Sequence, residues 1–213
     1  ILRIQQQDPR LAAFMPMADQ GLWVSTGKLV WFRNRDVLSD VEQPNGHPLY
    51  WSDNQCGMVM AHPVKCDREQ WVSSEADSRN VVLPAGSYCV VNRFSSKEQH
   101  HRIYASYLHS DVDFVADNKL NYVHQGTSRR TVPLDDRAAR GLTLWLSSSI
   151  VDKWYRQVSG STQVNATDLR QLPCPSRMQL GVLADRLPVE GDVNQNQIDE
   201  TVERLFHGCR QAD

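Results

Sequence analysis

Val90-Val91-Asn92-Arg93-Phe94-Ser95-Ser96-Lys97-Glu98-Gln99-His100-His101-Arg102 is the stretch on which the reading of this chain turns. An apolar, β-prone run over residues 88–91 leads into it, and a second run over 103–108 leaves it. Between the runs lie two arginines, a lysine, two serines and two histidines. That pattern predicts a hairpin, or a strand-loop-strand unit, whose tip carries cations and short hydroxyl donors. Along the first strand Cys89 and Val91 point one way, Tyr88 and Val90 the other. Both sides are apolar, as expected of a central strand covered on both faces. The tip suits a phosphate backbone, because Arg and Lys supply charge while Ser supplies neutral donors. A merely solvated loop has the same composition, so composition alone leaves both readings open.

Working outward, short strand signals alternate with turns. Residues 22–24 and 29–32 predict strands around Ser25-Thr26-Gly27-Lys28. Residues 49–51, 58–60 and 81–83 predict further short strands. Residues 112–115 and 120–123 predict a hairpin around Asp117-Asn118-Lys119. From Pro133 the period changes. Asp135 or Asp136 can cap a helix through Leu142 and Trp145, and a second helix carries Trp154 and Tyr155. Gly160 is expected to end that helix in a left-handed conformation. A short helical turn at 168–172 stops at Pro173, and residues 196–206 form an amphipathic terminal helix. The expected fold is α+β: a β-rich body of short, mostly antiparallel strands over 1–134, with helices over 135–213 packed on it as part of the same domain.

At 213 residues, 40% hydrophobic and with six tryptophans, the chain can bury a real core. No run approaches the roughly 18 apolar residues that a membrane helix needs. No signal-peptide pattern opens the chain, and Ile1 reads as the cut edge of a longer protein. The net charge of −2 requires any nucleic-acid face to be a local patch. Three basic clusters qualify: Lys28-Arg33-Arg35, Arg93-Lys97-Arg102 and Arg129-Arg130, while acids gather over residues 190–203. The five cysteines, with no CxxC pair, suggest free thiols in a reducing, cytoplasmic setting. His47, Cys56, His62 and Cys66 have spacings that match no zinc knuckle, so no metal site is expected.

Three segments carry a family resemblance. Arg93-Phe94-Ser95-Ser96-Lys97-Glu98 resembles a segment downstream of the catalytic domain in N6-adenine DNA methyltransferases of type II restriction-modification systems, the PstI/BsuBI/Eco57I group. Val24-Ser25-Thr26-Gly27-Lys28-Leu29-Val30-Trp31-Phe32-Arg33 resembles that family's S-T-G stretch. Ser159-Gly160-Ser161-Thr162-Gln163-Val164-Asn165-Ala166-Thr167-Asp168-Leu169-Arg170-Gln171-Leu172-Pro173 resembles the motif that closes its DNA-recognition region. The three lie in the family's order.

The resemblance implies a C-terminal target-recognition region in a bacterial cytoplasmic enzyme. The chain has no Gly-rich loop for S-adenosylmethionine and no Asn-Pro-Pro-Tyr element. Catalysis and cofactor are therefore expected in an upstream methyltransferase domain, with no cofactor and no catalytic residue here. The expected partners are double-stranded DNA, that upstream domain and a cognate restriction endonuclease, with no membrane. Extruding one adenine costs a few kcal/mol, which a recognition region offsets by gripping the duplex and reading base edges. Candidate DNA contacts are Lys28, Arg33, Asn34, Arg35, Arg93, Ser95, Ser96, Lys97, Arg102, Arg129, Arg130, Ser161 and Thr162, with Asn118, Lys119, Asn121 and His124 weaker. Ser161 and Thr162 could bind phosphate or belong to a loop that docks helices on the sheet. Trp145, Trp154 and Tyr155 at helical spacing read as core. Two rival functions remain: a type I-like specificity subunit, and a protein-interaction module without nucleic acid.

Overall fold

A computed structural model describes residues 8–95 and 98–208. Its strands are β1 (Met15–Pro16), β2 (Leu22–Thr26), β3 (Leu38–Ser39), β4 (His47–Tyr50), β5 (Gln55–Cys56), β6 (Val59–Met60), β7 (Trp71–Val72), β8 (Val82–Leu83), β9 (Gly86–Asn92), β10 (Ala105–Ser110), β11 (Phe114–Ala116), β12 (Leu120–Gly126), β13 (Thr131–Val132) and β14 (Pro173–Cys174). Its helices are α1 (Asp136–Leu146), α2 (Ser149–Val158), α3 (Ala166–Arg170), α4 (Arg177–Arg186) and α5 (Gln195–Gly208). This is the expected α+β class, with antiparallel-rich sheets and C-terminal helices.

The apolar run at 88–91 lies at the centre. β9 sits between β10 and β12 and is antiparallel to both. One row of paired residues, Thr26, Asn121, Val91 and Ala105, crosses β2, β12, β9 and β10. Cys89 and Val91 enter a core shared with Leu142, Trp145 and Tyr155 of the helices. Tyr88 and Val90 enter a second core with Tyr50, Leu83, Phe114 and Tyr122, closed by the sheet of order β3-β7-β4-β11-β8. On the far face of that sheet Leu29, Leu49, Trp51 and Val115 form a third core. The layers are therefore helices, large sheet and small sheet. A strand facing two cores needs no polar alternation, which explains the continuous run.

Asp135 caps α1, accepting from the amide of Ala138 at 2.8 Å. Trp145, Trp154 and Tyr155 are core residues, as expected. α4 is an unexpected element. It begins with a capping box, in which Ser176 N donates to Gln179 Oε1 at 2.9 Å and Gln179 N to Ser176 Oγ at 3.4 Å. Gly141 of α1 lies against the carbonyl of Leu180, so any Cβ there would collide with the α4 backbone.

Four local expectations are corrected. The segment after β2 does not fold back as a hairpin: Leu29 makes a single parallel bridge to Asp117, and Trp31–Arg33 is a 3-10 turn. Gly27 serves a close approach, since a Cβ there would strike the carbonyls of Ala116 and Asp117. β11 and β12 are not a hairpin either. β11 pairs with β4 and β8 in the small sheet, whereas β12 pairs with β9 and β2 in the large one. Asp117-Asn118-Lys119 is thus a crossing between sheets. Lastly, α2 ends on an extended Ser159 (φ −109°, ψ 112°) rather than on a left-handed Gly160.

Candidate nucleic-acid interface

The paired row through Thr26, Asn121, Val91 and Ala105 marks one end of the large sheet. Three predicted segments emerge there: Gly27-Lys28, Asn118-Lys119 and Arg93-Phe94. Asn118 ties them together. Its amide donates to Leu29 O at 2.9 Å, and its carbonyl accepts from Arg93 Nη1 at 3.2 Å. Arg93 also donates to Gln163 Oε1 at 3.4 Å, and its guanidinium lies 5.7 Å from the centre of the exposed Phe94 ring. The arginine is half-buried and held on three sides.

A groove of about 470 Å³ runs along β2 and β12. Lys28 lies at one end, and Arg129 and Arg130 of the β12–β13 turn at the other. Trp23, Ser25 and Tyr122 line its floor and Arg170 its side. Among the described residues, no carboxylate lines it. β2 has five residues and so spans roughly 17 Å, the rise of about five nucleotides of duplex. Lys28, Arg129 and Arg130 are exposed.

Sequence reasoning passed over Arg170 and Trp23. Arg170 Nε and Nη2 both donate to Val24 O, at 3.1 and 2.7 Å, occupying a carbonyl of β2. Its guanidinium stacks 4.1 Å from the Trp23 ring. Burial pulls the Arg170 pKa down from the usual arginine value. The Asp168-Leu169-Arg170 run within the closing motif held the signal, but its spatial partner lies 146 residues away.

His124, a weaker candidate, is buried behind the groove. Its Nδ1 faces Gln125 O at 2.6 Å and therefore carries the proton; Nε2 then accepts from Ser25 Oγ at 3.0 Å. Burial lowers its pKa and so favours the neutral ring. Asn121 is also buried, accepting from Thr26 Oγ1 and donating to Val164 O. These two residues brace the floor.

The remaining predicted residues divide into outward and inward groups. Arg33 and Arg35 are exposed on the 3-10 turns that follow Lys28. Among the described residues, none of Lys28, Arg33, Arg35, Arg93, Arg129 and Arg130 forms an ion pair with a carboxylate. By contrast Arg10, Arg68, Arg79, Arg137, Arg140 and Arg156 all do. Lys65, Lys153, Arg170, Arg177, Arg186 and Arg204 likewise form no ion pair among the described residues.

Asn34, Ser95 and Arg102 turn inward, against their reading as contacts. Asn34 donates to Val30 O and accepts from Arg79. Arg102 is 2% exposed, and its guanidinium is occupied by Ser95 Oγ and Ser161 O. Ser161 and Thr162 lie in a segment that docks on the loop after β9: Val164 N donates to Arg93 O at 2.7 Å and Ser95 N to Thr162 O at 3.4 Å. Thr162 is exposed and Ser161 half-buried. Ser96 and Lys97 fall outside the described residues. Of the residues weighed for zinc, His47 bonds Asp77 and His62 bonds Gln70 O.

No family model matches the chain. Over 192 residues, 87% of its length, it is 38% identical to the type II methyltransferase M.PstI of Providencia stuartii. The chain is homologous to type II methyltransferases. It is also 34% identical over 189 residues, 86% of its length, to the type II methyltransferase M.BsuBI of Bacillus subtilis. It spans 37% of the length of each of these relatives. The homology agrees with the resemblance carried by the three motifs and relates the chain to restriction-modification methylases.

Proposed function

We propose that this chain is the DNA target-recognition region of an adenine-N6 methyltransferase of a restriction-modification system. The observation that carries the reading is the groove uniting Lys28, Arg129, Arg130 and Arg170, which no carboxylate lines among the described residues. Phosphate contacts need unneutralised cations on a rigid surface, and a rigid sheet with a braced edge supplies one. Arg93, next to the groove through Asn118, is the candidate base reader, since an arginine fork matches a guanine edge. Arg33 and Arg35 extend the basic surface, and the inward Arg102 and Ser95 hold the reading loop in place.

The methyl transfer belongs, in this reading, to another part of a longer cytoplasmic protein, which works beside a cognate endonuclease. S-adenosylmethionine supplies the methyl group there. The turns that enter α1 and α4 do not fit that cofactor. They read Pro133-Leu134-Asp135 and Pro175-Ser176, with an acid or a serine as cap and no glycine for close approach. Mapping N6-methyladenine in a host expressing the full-length gene tests the proposal. Methylation confined to one short sequence motif supports it, and host DNA without gene-dependent N6-methyladenine refutes it.

A further inference from the structure

The 3-10 turns after Leu29 present two aromatic rings to solvent: Trp31 is 37% exposed and Phe32 57%. The rings meet edge to face at 6.0 Å. Each carries a guanidinium, Arg33 lying 5.6 Å from the Phe32 centroid and Arg35 4.6 Å from that of Trp31.

The tip is rigidly built. Asn34, buried beneath it, donates from Nδ2 to Val30 O at 2.9 Å, and its amide donates to Trp31 O at 3.1 Å. Arg79 donates to Asn34 Oδ1 at 3.0 Å and also clamps Asp36. The acid of the segment is thereby neutralised from within, while Arg33 and Arg35 pair with no carboxylate among the described residues. Only Leu29 and Val30 separate Trp31 from Lys28 at the rim of the groove.

We infer that Trp31 and Phe32 form a stacking site for nucleobases in the bound duplex, with Phe32 as the wedge. This inference rests on the DNA-recognition reading and adds a separate ligand, the face of a base rather than the phosphate backbone. An aromatic ring stacks on any base, and a flanking guanidinium adds attraction to both the π-face and the nearby phosphate. Apolar wedges at the DNA surface unstack a base step, which lowers the cost of extruding a neighbouring base. Prior rigidity means that the rings lose little freedom on binding.

A wedge binds best where stacking is already broken. The test titrates the full-length protein with a fluorescent duplex and with the same duplex carrying one abasic site. Wild type is expected to bind the abasic duplex about tenfold more tightly. Phe32→Ala should lose that preference, Phe32→Trp should keep it, and all should melt alike. A Lys28→Ala/Arg129→Ala/Arg130→Ala variant should bind both duplexes more weakly with the preference intact. An unchanged preference in Phe32→Ala overturns the inference and leaves DNA recognition standing. A lowered melting temperature for Phe32→Ala with no change in either affinity makes the tip an internal joint and also overturns it. Absence of salt-dependent binding to either duplex overturns this inference together with the reading beneath it.

Discussion

Arg102 reaches back seven residues to donate from Nε to the hydroxyl of Ser95 at 3.0 Å, with both side chains buried. Its Nη2 donates to Ser161 O at 2.5 Å, so one guanidinium joins the loop after β9 to the segment after α2. Arg102→Ala should therefore destabilise the protein by about 3 kcal/mol, because two charge-assisted bonds are lost. Arg102→Lys should not restore the loss, since an ammonium lacks the fork. Urea denaturation measures this. Wild-type stability in Arg102→Ala would contradict the bracing role.

Glycines separate close approach from mere looseness. Gly27→Ala and Gly141→Ala should each cost about 2 kcal/mol, because the new methyl meets backbone carbonyls of Asp117 or Leu180. Gly160→Ala should change stability by less than about 0.5 kcal/mol, having open space around it. Thermal melts of the three variants rank them.

The central strand was legible because a strand covered on both faces must be apolar on both. Asp135 as a cap was legible because capping is local. The two false hairpins failed for one reason: turn residues announce that the chain bends, not which sheet it enters next. Asp117-Asn118-Lys119 looks like a hairpin tip yet carries the chain from the small sheet to the large one. α4 was missed because its buried side chains are few, although Ser176 and Gln179 spelled its start. At the site, cationic identity predicted the outward arginines, but the inward turn of Arg102 depends on Ser95 and Ser161 meeting in space. Arg170 was hidden because its partners lie on β2.

Burial holds His124 and His62 below the usual histidine pKa of 6.5. A lowered folded pKa means that the unfolded chain takes the proton first. The stability contributed by the neutral rings is full above pH 6.5 and falls as pH drops toward the folded values. Melting temperature measured from pH 7.5 downward should decline below about 6.5. The decline should be shallower in His124→Gln. An identical pH profile in that variant would exclude His124 as a source.

Asp117 has the opposite sign. Burial raises its pKa above the usual 3.8, so its ionisation opposes the fold. Its stabilising contribution is full below 3.8 and is lost as pH rises through the folded value. Asp117→Asn can still accept from the Lys119 amide, a 3.0 Å bond in the wild type. The variant should be more stable than wild type at pH 7 and gain nothing near pH 3.5. Chemical denaturation at the two pH values checks the difference.

The groove along β2 is, in the proposed function, a phosphate track. The deciding measurement is the salt dependence of duplex DNA binding by the full-length protein, wild type against Lys28→Ala/Arg129→Ala/Arg130→Ala. Wild type should show a steep linear fall of log K with log salt, and the variant a slope smaller by about 2 to 3. Equal slopes and equal affinities in the two proteins would contradict the groove as a DNA-binding surface.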